Sequence, residues 1–104
     1  MNYQEMSDRH INCLVHDVFI REEQSSFGLI LNVVRHPKDY CNSWADAGQI
    51  IQDNGINLMA STVVDSGGLK EWEAMSYEGN CHHWGELNPL RAAMIVFLMM
   101  KGGE

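Results

Sequence analysis

From Ala92 to Met100 the chain runs nine residues without a polar side chain, and this stretch constrains the fold more than any other. Asn88 and Pro89 open it as an N-cap and a first helical position, where the missing N–H of proline costs nothing. Lys101 and Gly102-Gly103 close it with a base at the negative helix end and a stop signal. The pattern predicts a helix over 89–101 with almost no polar face after Arg91. A helix that is apolar all round must be covered all round. One side can lie on a sheet; the other needs a neighbouring helix or a second copy of the chain.

The remaining elements supply candidates for that cover. Ser7 and Asp8 suit a helix start, and Ile11, Leu14, Val15 and Val18 recur at helical spacing, so a helix is expected over 8–20. Residues 21–26 read as a polar loop. The β-branched run Leu29–Val34 reads as a strand, stopped by Pro37. Asp39 to Ser43 form a turn into a second helix, with Ser43 and Asp46 as its capping pair, Trp44, Ala47, Ile50 and Ile51 as its buried face, and Asn54-Gly55 as its stop. Gly48 weakens that helix by roughly 1 kcal/mol relative to alanine.

Ile56–Met59 reads as a short strand that can extend to Val64. Asp65–Gly68 is a turn, Leu69–Met75 a strand with Trp72 and Ala74 on one face, Glu78–Asn80 a turn, and Cys81–Trp84 a last short strand. The order favours an antiparallel meander. The expected class is α+β: a small antiparallel sheet of three to four strands packed against about three helices, in one domain over 1–104. A chain of 104 residues with 45% hydrophobic and 20% charged content can build such a core.

Charge narrows the range of functions. The net charge of −7 argues against sequence-independent nucleic-acid binding and against an anionic membrane surface. No segment reaches the ~20 apolar residues a membrane-spanning helix needs. Eight of the fourteen acids, but only one base, fall between Asp39 and Leu90. That acidic middle suits a basic partner, although solubilising surface is the simpler explanation. Three cysteines, an odd count, and no secretory leader after Met1 point to reduced thiols in a cytoplasm.

The chemical motifs are sparse. Cys81 and His83 alternate onto one strand face, and Cys41 could join them as a zinc set, yet there is no CxxC and no HxxxH. Cys41 just before a helix is a conceivable thiolate, with a histidine as base. The simpler explanation is one buried thiol and two surface histidines over Cys81-His82-His83, and a small half-buried core or turn residue at Cys41. No catalytic residue, metal or cofactor is therefore expected. Arg91, the one charge at the start of the apolar helix, calls for a carboxylate, with Asp39 and Asp46 as candidates inside the domain. Tyr40, Trp44, Trp72 and Trp84 are large groups that belong to the core unless they emerge together on the surface.

Three segments carry a family resemblance: Tyr3–Asp8 continuing to Ile11-Asn12 and Val15; Asp39–Asn42 with Ala45-Asp46-Ala47 and Ile50-Ile51; and Asn88–Met100. On these the chain resembles the NinX-like proteins encoded in the nin region of lambdoid phages. Gly48 and Trp44 depart from the usual pattern, and Thr62–Glu86 matches it loosely. The resemblance implies a phage accessory protein with no assigned catalytic residues. Its expected mode of action is binding of a host or phage protein in the host-cell cytoplasm. Antagonism of a host defence system is one version, and a homodimer is compatible with it. The candidate partner-binding residues are Asp39, Tyr40, Asp46, Trp72, Glu73, Trp84 and Arg91. The alternative is a small thiol- or metal-dependent enzyme using Cys41, Cys81 and His83.

Overall fold

The computed structural model describes residues 3–22, 38–62 and 70–102. A single 3-10 turn, Tyr3–Glu5, leads into α1 (Asp8–Glu22). Helix α2 (Trp44–Asn54) is followed by β1 (Asn57–Thr62), β2 (Lys70–Met75) and β3 (His82–Glu86), and α3 (Pro89–Met100) closes the order. The expected strand over Leu29–Val34 and the turn over Asp65–Gly68 lie outside the described residues.

The helix starts form as their cap residues dictate. Ser7 Oγ accepts from the His10 N–H at 3.1 Å, and Ser43 Oγ accepts from the Asp46 N–H at 3.3 Å. Asn88 Oδ1 accepts from the Leu90 and Arg91 N–H groups at 2.9 and 3.4 Å. Each bond satisfies a donor that the first helical turn leaves without an intrahelical partner. Gly55 ends α2 in the left-handed region at φ +63°, where its missing side chain leaves room for the Tyr77 ring.

The strands form an antiparallel meander in the order β1-β2-β3. Leu58 faces Ala74 across β1 and β2, and Ala74 faces His83 across β2 and β3. The expected pairing of Trp72 with Ala74 on one face holds: Ala74 is fully buried and Trp72 half-buried.

Helix α3 is the middle layer. The sheet packs on one side of it, and α1 and α2 on the other. Leu90 and every residue from Ala92 to Leu98 are buried. Each of the larger side chains among them contributes roughly 1.5–3 kcal/mol by leaving water. Ile11, Val15 and Val18 of α1 and Ala47 and Ile50 of α2 complete the core. Cover that the sequence left open between a neighbouring helix and a second copy is thus supplied by α1 and α2 of the same chain. Among the described residues, no helix is long and apolar enough to cross a membrane.

Candidate functional site

The polar groups that could do chemistry gather at the N-terminal end of α3. Arg91 is their hub, and its guanidinium has five acceptors within hydrogen-bond distance, three of them sharing the two hydrogens of Nη2. Nε donates to Glu86 Oε1 at 3.0 Å and Nη1 to Asp8 Oδ1 at 2.7 Å. Nη2 donates to the backbone carbonyls of Tyr3, Met6 and, more distantly, Gln4. A guanidinium in the first turn of a helix opposes the macrodipole. The two carboxylates offset that, and the carbonyls at the end of the 3-10 turn take the rest of the fork. Arg91 is thus internally paired, as the sequence suggested, but its acids are Asp8 and Glu86 rather than Asp39 and Asp46.

Glu86 reaches Arg91 because of an irregularity in β3. Between Ala74 and Trp72 the partner strand advances from His83 to Glu86, one residue more than regular pairing allows. Gly85, at φ +83°, accommodates the extra residue in a conformation other side chains resist. The bulge reverses the alternation of faces, so His83 and Glu86 both turn toward α3 although they are three apart. His83 Nε2 then lies 2.9 Å from Glu86 Oε2. The strand expected from sequence ends at Trp84, so Gly85 falls just beyond it; only a strand carried on to Glu86 shows an isolated glycine, the usual mark of a bulge.

A second branch ties the 39–43 turn to α1 and α3. Asn12, buried on α1, accepts from the Cys41 N–H at 3.0 Å and donates to Asp39 Oδ1 at 2.9 Å. Asn42 donates to Asp39 and, at 3.4 Å, to Asp8. The Asn88 side-chain amide donates to the Cys41 carbonyl, so one residue caps α3 and anchors this turn. Cys41 is fully buried, and its Sγ contacts the Asp8 carbonyl at 3.8 Å. Burial first, then the Asp8 carboxylate, push its thiol up to about 12, against the weaker pull of Arg91. At neutral pH this sulfur is a protonated core group, unsuited to nucleophilic attack. Cys81 is half-buried against the core, and His83 is engaged by Glu86. Among the described residues, no three His, Cys, Asp or Glu side chains converge as a metal set.

The seven candidate partner-binding residues separate into two groups. Tyr40 and Arg91 belong to the interior, Asp39 is exposed at the border of the network with its carboxylate held by Asn12 and Asn42, and Asp46 sits half-buried beside Tyr40. Tyr40 is buried, and burial followed by the Asp46 charge raises its phenol above the ordinary range. Trp72 is half-buried on the inner sheet face, opposite Glu86 in register. Only Glu73 and Trp84 stand on the outer face. There Glu73 Oε2 bonds His82 Nε2 at 3.0 Å, and the His82 ring lies 5.1 Å from the Trp84 indole. Trp84 is 62% exposed. Trp44, expected on the buried face of α2 with Ala47 and Ile50, is instead 58% exposed at the first position of that helix; Met59, Tyr77 and Leu87 are further exposed large apolar groups.

Asp8 and Glu86, central to the network, were missed as site residues. Their role depends on contacts made across up to 83 positions of chain. The network nonetheless joins the three segments that carry the family resemblance: Tyr3–Asp8 with Asn12, Asp39–Asn42, and Asn88–Arg91. A family model described as "Bacteriophage P22, NinX" matches residues 2–101. No curated protein and no solved structure matches the chain.

Proposed function

We propose that this chain, which belongs to the bacteriophage P22 NinX family, acts by binding a protein of the host or of the phage through its surface. The observation that carries this reading is the set of large apolar side chains left in water. Trp44, Tyr77, Trp84 and Leu87 are each more than half exposed in a chain of 104 residues. Exposed aromatic groups of this kind are the usual anchors of protein interfaces. The polar groups support the same reading from the other side. Arg91, Glu86, Asp8 and Cys41 satisfy one another and hold the fold together, so they are spent on structure. The thiol-enzyme alternative asks for a thiolate, and Cys41 is held in the opposite state.

The proposed compartment is the host-cell cytoplasm, a reading supported by three free thiols at Cys13, Cys41 and Cys81. Antagonism of a host defence protein is the narrower form of the proposal, in which the acidic surface stands in for nucleic acid. Affinity capture with the tagged full chain from phage-infected cells, read by mass spectrometry, tests both. The expected result is one reproducible partner recovered in near-stoichiometric amount. Recovery of nothing above an untagged control rejects the proposal, and the partner's identity decides the narrower form.

A further inference from the structure

The outer face of the sheet takes no part in the network around Arg91. Strand alternation puts Met59, Glu71, Glu73, His82 and Trp84 on it, and α3 covers only the opposite face. Trp84 has a carboxylate on either side along β3. Toward the N-terminal end, Glu73 holds His82, whose ring is tilted against the indole. Toward the C-terminal end, Glu71 Oε2 is 3.8 Å from the point a Cβ on Gly85 would occupy, so this carboxylate reaches across to the bulge. Among the described residues, no Arg or Lys pairs with Glu71 or Glu73.

We infer that this face docks a cationic segment of a protein partner, with an Arg or Lys side chain laid on the Trp84 indole and its charge between Glu71 and Glu73. The inference rests on the protein-binding reading above and adds the place and the partner's chemistry. Charge complementarity selects the occupant. An indole face attracts a guanidinium or ammonium group, and two flanking carboxylates strengthen the attraction in the partly desolvated contact. A second copy of the chain docked face to face would bring the same carboxylates against each other in a protomer of net charge −7. A nucleic acid would meet like charge.

The test titrates the full chain into a short fluorescein-labelled peptide alternating Arg with Val, and into the same peptide with Gln in place of Arg, followed by fluorescence anisotropy. The Arg peptide is expected to bind about tenfold tighter or more. Trp84→Ala and the Glu71→Gln/Glu73→Gln pair are each expected to remove most of that preference. Glu78→Gln, in the exposed turn between β2 and β3, leaves it unchanged. Because Trp84 is solvent-exposed, its truncation preserves the fold, and the isosteric Gln pair gives an independent second variant.

Equal binding of the two peptides overturns the inference, as does an equal loss with Glu78→Gln, which reports diffuse charge alone. It is also overturned by Trp84-dependent self-association in light scattering, or by Trp84-dependent binding of a single-stranded oligonucleotide. A partner captured from infected cells equally by wild type and Trp84→Ala rejects this face while upholding protein binding. Capture of nothing by wild type rejects protein binding itself.

Discussion

Arg91 concentrates more of the tertiary structure on one side chain than any other described residue. It joins the 3-10 turn, the start of α1, the end of β3 and α3 through five acceptors. Its side chain and that of Glu86 are both 11% exposed. Arg91→Ala leaves the Glu86 carboxylate with only its His83 contact and is expected to destabilise the protein by about 3 kcal/mol, measured by urea unfolding. Arg91→Lys recovers only part of that, because an ammonium cannot reproduce the planar fork. Arg9→Ala, an exposed control, changes stability by less than about 0.5 kcal/mol. Cys41 gives a second prediction at this scale. Its folded-state thiol ionises near 12, above its ordinary range near 9. Stability from this group is complete below pH 9 and falls as pH rises from 9 toward 12, by roughly 1.4 kcal/mol per unit. Tyr40, also raised, adds to the alkaline loss. Urea midpoints at pH 8 and pH 10.5 should therefore differ less in Cys41→Ala than in wild type. An equal difference in both would remove Cys41 as the cause.

Two glycines within regular elements make opposite predictions. Gly48 lies inside α2, and a Cβ added there meets nothing within 4 Å. Gly48→Ala therefore restores helix propensity without a clash and is expected to stabilise by about 1 kcal/mol, or roughly 4–8 °C in Tm. Gly85 stands at φ +83° in the bulge, with only ordinary van der Waals neighbours around a built Cβ. Gly85→Ala pays for backbone strain alone and is expected to destabilise by about 1–2 kcal/mol. Because the bulge sets which way Glu86 faces, the loss is predicted to shrink when Arg91 is already Ala. Additive losses in that double-mutant cycle would separate the bulge from the network. Chain periodicity located the strand around His82 and the helix around Gly48. It did not reveal that one glycine is an open position and the other a required one.

At the scale of the whole molecule, α3 is a core element sandwiched between a sheet and two helices. Phe97 is buried among them. Phe97→Ala is expected to cost about 3–5 kcal/mol through lost burial and the cavity left behind. Because α3 is covered within one chain, thermal melting of wild type should not depend on protein concentration. A Tm that rises with concentration would mean that a second copy shares in covering the core. The same layering explains where function is proposed to lie. With α3 occupying one face of the sheet formed by the three described strands, Trp84 on the other face is turned to the outside.

Much of this was determined by local sequence. The caps at Ser7, Ser43 and Asn88, the helical spacing in α1, the turn signals between strands and the apolar run of α3 act over a few residues. Their physics is that of single hydrogen bonds and periods, so the order of the described helices and strands and the α+β class could be read directly. The need for α3 to be covered was legible as well, because an uninterrupted apolar helix has no face to show to water. Which neighbour covered it was settled by tertiary packing, as were the acids that hold Arg91, the protonated state of Cys41 and the exposure of Trp84. Each depends on groups far apart in the chain being brought within a few ångströms. Asp8 and Arg91 meet across 83 residues, and one bulge decides the direction of Glu86. Charge pairing, desolvation and exposure are properties of that assembled neighbourhood, and no periodicity along the chain encodes them.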